Sequence, residues 1–61
     1  MTLAEARANI GARVAYTGGP RPDYGVIDSV DTTFVFVRYS DGHAEATYPA
    51  DLVFSVPGDV S

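Results

Sequence analysis

The 61-residue chain is long enough for one small domain, and its eight acidic residues against four arginines give a formal net charge of −4. This balance disfavours nucleic acid as the partner, because phosphate contacts supply most of the affinity of nucleic-acid-binding proteins and require a basic face. The chain has no cysteine and only one histidine, so we predict no disulfide, no metal site and no cofactor.

Membrane insertion and catalysis are both disfavoured by the sequence. No segment approaches the roughly 20 apolar residues of a membrane-spanning helix, and the first residues lack the pattern of a signal peptide. We therefore expect a cytoplasmic protein without membrane contact, in the host cytoplasm if a phage encodes it. No catalytic triad, phosphate-binding loop or dinucleotide fingerprint is present, and His43, Asp41 and Asp51 fit turn positions, so we predict no enzyme activity.

The N-terminal segment has the pattern of a short capped helix over residues 1–10. Thr2 and Glu5 are spaced as a capping box, and Gly11 provides the stop. A helix this short is unstable alone, so its apolar face has to dock. We expect it to cover one end of the remaining domain, and binding to a partner is the alternative. Three apolar residues share that face: Leu3, Ala6 and Ile10.

Short apolar or alternating runs bounded by turn residues predict five strands. A loop of turn formers, Gly18–Asp23, separates the first two strands, and Pro49 favours a 3-10 turn before the last one. We predict an all-β fold, a five-stranded SH3-like antiparallel barrel whose final strand closes against the first. The predicted units are a helix over 1–10, a barrel over 11–56 and a tail over 57–61. The predicted strands cover residues 13–17, 25–30, 34–39, 44–48 and 53–56.

The Asp41-Gly42 pair predicts a two-residue type I′ hairpin, since both residue types tolerate positive φ. That turn places Arg38 opposite Glu45 and Phe36 opposite Thr47. In the two strands that this turn joins, the residues predicted to face the core are Val35, Val37, Tyr39, Ala44, Ala46 and Tyr48.

The register of the hairpin between the second and third predicted strands is less well defined by the sequence. A two-residue turn at Asp31-Thr32 would place Ile27 beside Phe36 on the outer face, and it would turn the charged Asp28 toward the core. A bulge near Asp28 would relieve that cost, so the register of this turn stays open.

The pattern from Gly11-x-x-Val14 through Gly25-Val26 and Val35-x-Val37-x-Tyr39-x-Asp41-Gly42 to Asp51-Leu52 resembles SH3-like small barrels of the Tudor and KOW kind. The chain also resembles short proteins encoded by actinobacteria and their phages. The Tudor resemblance implies an aromatic cage for a methylated basic side chain, with Tyr24 and Tyr48 as available walls. The KOW resemblance implies RNA, ribosomal or polymerase partners. One barrel fold serves many functions, so the resemblance indicates fold more than activity.

Large apolar side chains on the outside of a small barrel are typical of a docking surface or of a site covered by the chain itself. The helix could supply that cover through Leu3 and Ile10. We expect a non-catalytic module that binds a protein, a peptide or its own copy through exposed aromatics and the Gly18–Asp23 loop. A KOW-like nucleic-acid or transcription and translation accessory module is the alternative. The predicted partner-binding residues are Tyr24, Ile27, Phe34, Phe36, Arg21 and Tyr48.

Overall fold

The structure, a computed structural model, describes residues 1–55. The predicted tail over 57–61 and the end of the predicted last strand at Val56 lie outside the described residues. The prediction of one short helix, five strands and a 3-10 turn is confirmed. In chain order the elements are α1 (Leu3–Ala8), β1 (Arg13–Tyr16), β2 (Asp23–Val30), β3 (Val35–Tyr39), β4 (Ala44–Thr47), the 3-10 turn (Pro49–Asp51) and β5 (Leu52–Phe54).

The five strands form one antiparallel sheet in the order β4-β3-β2-β1-β5. The predicted pairing of the last strand with the first is confirmed, with Val14 opposite Phe54 and Tyr16 opposite Leu52. Strands β4 and β5 are the two edges of the sheet. Within residues 1–55 no ladder joins these two strands, so hydrogen bonding does not close the sheet into a barrel.

Helix α1 begins with the predicted capping box. The amide of Glu5 donates to Oγ1 of Thr2 at 3.1 Å, and the amide of Thr2 donates to Oε1 of Glu5 at 2.9 Å. These two bonds satisfy backbone donors that the first helical turn otherwise leaves free. The prediction that this helix docks on the sheet is confirmed, because Ala6 is fully buried in the core and Leu3 packs against it. Ile10, however, is 56% exposed and takes no part in that packing.

The core lies on one face of the sheet, beneath α1, and we call the opposite face the outer face. Ile27 is only 1% exposed, so the prediction that it belongs to an outer binding surface is wrong. Phe36 does lie on the outer face and is half-buried. Six side chains form the buried cluster: Ala6, Val14, Ile27, Val35, Val37 and Leu52.

A bulge at Asp28 explains why Ile27 faces inward. The ladder pairs Ile27 with Val37 but then Ser29 with Phe36, so Asp28 has no partner in β3. The extra residue lets the chain keep apolar side chains on the core face while the Asp28 carboxylate points to solvent, where it meets Arg38 at 3.5 Å. The bulge that we considered near Asp28 is therefore present.

The β2–β3 connection is longer than the two-residue Asp31-Thr32 turn that we considered. Val30 pairs with Val35, so residues 31–34 form a four-residue loop. The amide of Asp31 donates to the carbonyl of Phe34 at 2.8 Å and closes that loop.

The β3–β4 hairpin differs from the prediction by one residue. Arg38 pairs with Ala44 instead of Glu45. The amide of Tyr39 donates to the carbonyl of His43, so these two residues are the last pair and the loop between them has three residues, Ser40–Gly42. Gly42 has a φ of 89°, whereas Asp41 has no positive φ and therefore does not fit a type I′ turn. A three-residue loop needs a positive φ only at its last residue, which is the geometry observed.

A one-residue slip exchanges the two faces of a strand, and β4 shows this result. Thr47, which we predicted to face outward, is 6% exposed and pairs with Val35 on the core face. Tyr48, predicted to face the core, is 58% exposed. The predicted core positions Ala44 and Ala46 are exposed as well. The predicted charge pair between Arg38 and Glu45 is wrong, because Arg38 instead lies against Asp28.

Candidate functional site

Three of the predicted binding residues lie together on the outer face, at the end of the β3–β4 hairpin away from its loop. Phe36 pairs with Ala46 in the ladder, and the rings of Phe34 and Tyr48 meet with centroids 4.9 Å apart at an interplanar angle of 54°. This tilted arrangement is favourable for two aromatic rings. We call Phe34, Phe36 and Tyr48 the outer aromatic patch. Helix α1 packs on the opposite face, so the helix does not cover it.

The other predicted binding residues are elsewhere. Tyr24 is 60% exposed near the start of β2, opposite Ala15, at the far end of that strand from Phe36. Arg21 is exposed in the β1–β2 loop. Ile27 is in the core. The predicted set is therefore one surface patch of three residues, two separate surface positions and one core residue.

A concavity of about 360 Å³ lies between β4, the 3-10 turn and the start of β2. We call it the acidic pocket. Three of its lining residues are tyrosines, and four are aspartates or glutamates. These four are half of the eight acidic residues in the chain. No arginine or histidine lines the pocket. Its lining residues are Tyr16, Asp23, Tyr39, Ser40, Asp41, Glu45, Ala46, Thr47, Tyr48 and Asp51.

The strand directions bring these residues to one end of the sheet. Strands β1 and β3 are both antiparallel to β2, so they run in the same direction and their last residues, Tyr16 and Tyr39, lie at the same end. Asp23 begins β2 at that end and pairs with Tyr16. Gly18 allows the loop to approach the ring of Tyr16, since a side chain there would collide with that ring. The β1–β2 loop therefore helps to position one wall of the pocket.

The 3-10 turn is held against the end of β1 by two hydrogen bonds. The amide of Thr17 donates to the carbonyl of Asp51 at 2.8 Å, and the Thr17 hydroxyl donates to the same oxygen at 3.1 Å. These bonds fix Asp51 on the side of the pocket opposite β4. The pocket thus lies in the gap between the two edges of the sheet.

The protonation states of two lining residues follow from their surroundings. Burial raises the pKa of Tyr39, and the negative charges of Glu45 and Asp23 raise it further against the opposing hydrogen bond from Thr47. Tyr39 therefore keeps its hydroxyl proton. At Asp41, the backbone amide of His43 donates to Oδ1 at 2.9 Å and lowers the pKa of the carboxyl group. Asp41 is therefore ionised at neutral pH.

The composition of the pocket suits an organic cation. Carboxylates attract a positive charge, and the faces of tyrosine rings attract it through their quadrupole. Within residues 1–55, no three histidine, aspartate or glutamate side chains are grouped so that they could hold a metal ion. The four acidic residues come from four separate segments of the chain, β2, the β3–β4 loop, β4 and the 3-10 turn, which suits an extended guanidinium or ammonium side chain.

A second concavity, of about 470 Å³, lies on the outer face. Arg13 and Arg38 both pair with Val26 from opposite sides, so the two arginines flank an apolar residue in one row across the sheet. Tyr24 and Ser55 complete the rim. Arg38 is already engaged, since it donates to the Gly42 carbonyl at 2.9 Å and lies 3.5 Å from Asp28.

Sequence reasoning missed most of the acidic pocket. Of its aromatic and acidic residues, only Tyr48 was among the predicted binding residues. The signal that could have found the pocket is the position of these residues at the strand ends. Tyr16 and Tyr39 end two strands that run in the same direction. Asp23 begins β2 at that end of the sheet, and Asp51 directly precedes β5 there. Grouping residues by strand end rather than by strand face would have found the site.

Comparison of the chain with protein-family models, with curated proteins and with solved structures gives no match. Within the part of the chain that the structure describes, no helix has the length and apolar character to cross a bilayer.

Proposed function

We propose that this chain is a small non-catalytic binding module of the SH3-like type, which recognises a protein or peptide through a basic side chain. The strand order, the pairing of the last strand with the first and the 3-10 turn before the last strand support the SH3-like assignment. Curling of the open sheet around the gap between β4 and β5 would complete such a barrel.

The observation that carries the proposal is the acidic pocket. Four acidic residues and three tyrosines line one concavity, and within residues 1–55 no arginine or histidine lines it. The imidazole of His43 lies 3.5 Å from the carboxylate of Asp41, so the other three carboxylates are the main attraction for a cation. A guanidinium or ammonium group entering this site gains ion pairs with the rim and contact with the rings. Neutral or acidic ligands gain no ion pair with the rim, so the pocket favours basic residues.

Binding of two nine-residue probe peptides tests this function. One alternates arginine with serine, and the other alternates glutamate with serine. We expect isothermal titration calorimetry to detect the arginine peptide alone, with an affinity that falls as salt screens the charges. The variant Asp23→Asn/Glu45→Gln should weaken binding roughly fivefold, as expected for the loss of two exposed ion pairs.

The matched control is Asp28→Asn/Asp31→Asn, which also removes two negative charges, both from residues that do not line the pocket. It should leave the affinity almost unchanged. Absence of binding by the arginine peptide at low salt would refute the proposed function. Equal losses in the control and in the pocket variant would reduce the interaction to a nonspecific effect of net charge.

A KOW-like nucleic-acid module is the second candidate, favoured by one observation. Arg13 and Arg38 flank Val26 on the outer face next to the exposed Tyr24, which offers two positive charges and a stacking surface. A salt titration of binding to single-stranded RNA and duplex DNA tests it, since a phosphate-binding protein loses affinity steeply with salt. Arg13→Gln should then weaken binding and reduce its salt dependence, whereas the acidic-pocket variant should not weaken it.

A further inference from the structure

The two edge strands, β4 and β5, differ in whether their outward backbone N–H and C=O groups have hydrogen-bond partners. At β5, Ser55 donates to Arg13 and Thr17 donates to Asp51, so the backbone of Leu52 points away from β1. The nitrogen of Met1 donates to the Leu52 carbonyl at 3.0 Å and to the Pro49 carbonyl at 3.1 Å. The start of the chain therefore occupies part of that edge.

The edge at β4 is open along its length in the part of the chain that the structure describes. Tyr39 donates to the carbonyl of His43 at 3.0 Å, which fixes the alternation of the ladder. Glu45 and Thr47 then direct their backbone groups toward β3, while Ala44 and Ala46 direct theirs outward. Within residues 1–55 the outward N–H and C=O groups of these two alanines have no hydrogen-bond partner.

In the described part of the chain, the edge at β4 is protected only by the shortness of the strand, four residues, and by the charge of Glu45. The strand contains no proline, lysine or bulge, and the residues with outward backbone groups have only methyl side chains. Among residues 1–55, no proline ring, bulge or large side chain on these two residues stands in the way of another backbone. The nearest proline, Pro49, follows the end of the strand.

The acidic pocket adjoins this open edge, and its charge determines which strand would fit. Glu45, Ala46 and Thr47 line the pocket, with Asp41 at the adjoining hairpin loop. In a strand added beside β4, every second side chain would lie on the same face as Glu45 and Thr47, toward the pocket. Positive charges at those positions meet carboxylates, whereas a second copy of β4 would place one Glu45 near another.

We infer that β4 accepts an extended peptide with basic residues at every second position, which adds to the sheet as a sixth strand. This inference rests on the proposed function, because it specifies how the ligand of the acidic pocket is held. The backbone of the peptide pairs with Ala44 and Ala46, and its basic side chains enter the pocket. Main-chain pairing supplies affinity and the pocket supplies selectivity, as in other cases of strand addition.

The test compares the arginine–serine peptide with a copy that is N-methylated at alternate residues, in both possible phases. N-methylation removes backbone donors and keeps every charge. If the methylated residues are those whose N–H groups point to β4, we expect the affinity of the peptide to fall about tenfold or more, since each lost hydrogen bond contributes about 1 kcal/mol. The peptide methylated at the other set of residues should bind as tightly as the unmodified peptide. Amide hydrogen exchange at Ala44 and Ala46 should slow when the unmodified peptide binds.

A protein variant tests the same edge from the other side. Ala46→Pro removes an outward N–H without removing a β3–β4 ladder bond, and Ala46→Ser is the matched control that keeps the donor. Circular dichroism establishes whether each variant folds, and the methylated peptides provide the test if the proline variant does not. Because the lost N–H would bond a carbonyl of the peptide, the proline variant should bind the unmodified peptide more weakly, whereas the serine variant should bind it as the parent protein does.

The outcomes separate this inference from the proposed function. If both methylated peptides bind as tightly as the parent and the two alanine amides stay unprotected, the pocket binds basic side chains without strand addition and the inference is wrong. If the arginine peptide does not bind at all, the proposed function fails with it. If the free protein sediments as a dimer that Ala46→Pro dissociates, the occupant of the edge is a second copy and the peptide assignment is overturned.

Discussion

The hydroxyl of Tyr39 lies 2.9 Å from Oγ1 of Thr47, and this hydrogen bond joins the end of β3 to the edge strand β4 across the floor of the acidic pocket. Thr47 is the only buried polar side chain within residues 1–55, so its hydroxyl needs a partner. It finds two, since it also lies 3.4 Å from the Glu45 carbonyl. This bond favours the observed register, in which Thr47 faces inward.

Stability should decline in alkaline solution because of Tyr39. The pKa of Tyr39 is raised in the folded protein above its ordinary value of 10.0, so the folded state holds this proton more tightly than the unfolded chain. Its stabilising contribution is complete below pH 10 and is lost as the pH rises above that value. Urea denaturation between pH 9 and about 11.5 should therefore show a falling free energy of unfolding, with a shallower fall in Tyr39→Phe. Tyr24→Phe, outside the pocket, should keep the slope of the parent, and a shallower slope in that control would contradict this explanation.

Gly42 should determine the stability of the β3–β4 hairpin. Its φ of 89° lies in the left-handed region, and a Cβ there would meet no atom within 4 Å, so the cost of substitution comes from the backbone alone. Gly42→Val should lower the free energy of unfolding by roughly 1–2 kcal/mol or more. Gly42→Asn should cost less, because asparagine adopts this conformation more readily. Chemical denaturation measures both, and equal stability of the valine variant would show that the loop does not require this conformation.

Gly25 should tolerate no side chain, for a different reason. A Cβ at this position would lie 2.7 Å from the carbonyl oxygen of Arg38 and 2.7 Å from Cγ1 of Val37, both in the neighbouring strand. Gly25→Ala should therefore destabilise the protein by about 1–3 kcal/mol, as overpacking does. Gly19→Ala is the control, since its nearest neighbours are 3.9 Å away. Thermal melting should show a lower midpoint for the first variant and an unchanged one for the second.

The local elements could be predicted because each depends on neighbouring residues. The capping box needs only Thr2 and Glu5, and the 3-10 turn follows from Pro49. The bulge at Asp28 could be anticipated because an unpaired carboxylate in a core is costly. Each of these features has a cause within a few residues of where it occurs.

The register of β4 could not be predicted in the same way. Asp-Gly fits both a two-residue turn and the last two residues of a three-residue loop, and the choice depends on which face of β4 meets the core. Alanines at 44 and 46 suggested that they face inward, but Thr47 takes that face through its bond with Tyr39. The acidic pocket was missed for the same reason, since its walls are assembled by this register.

Ile27 and Phe36 should respond differently to substitution, because one lies in the core and the other in the outer aromatic patch. Ile27 is 1% exposed, and Ile27→Ala should cost about 2–5 kcal/mol, much of the stability of so small a domain. Phe36→Ser, on the half-buried outer face, should leave a folded domain by circular dichroism. It should also leave binding of the arginine–serine peptide unchanged, since Phe36 does not line the acidic pocket. Tyr48 belongs to both surfaces, so Phe36 is the residue that separates them. If Phe36→Ser folds but no longer binds the peptide, the binding surface includes the outer aromatic patch and the acidic pocket alone does not explain binding.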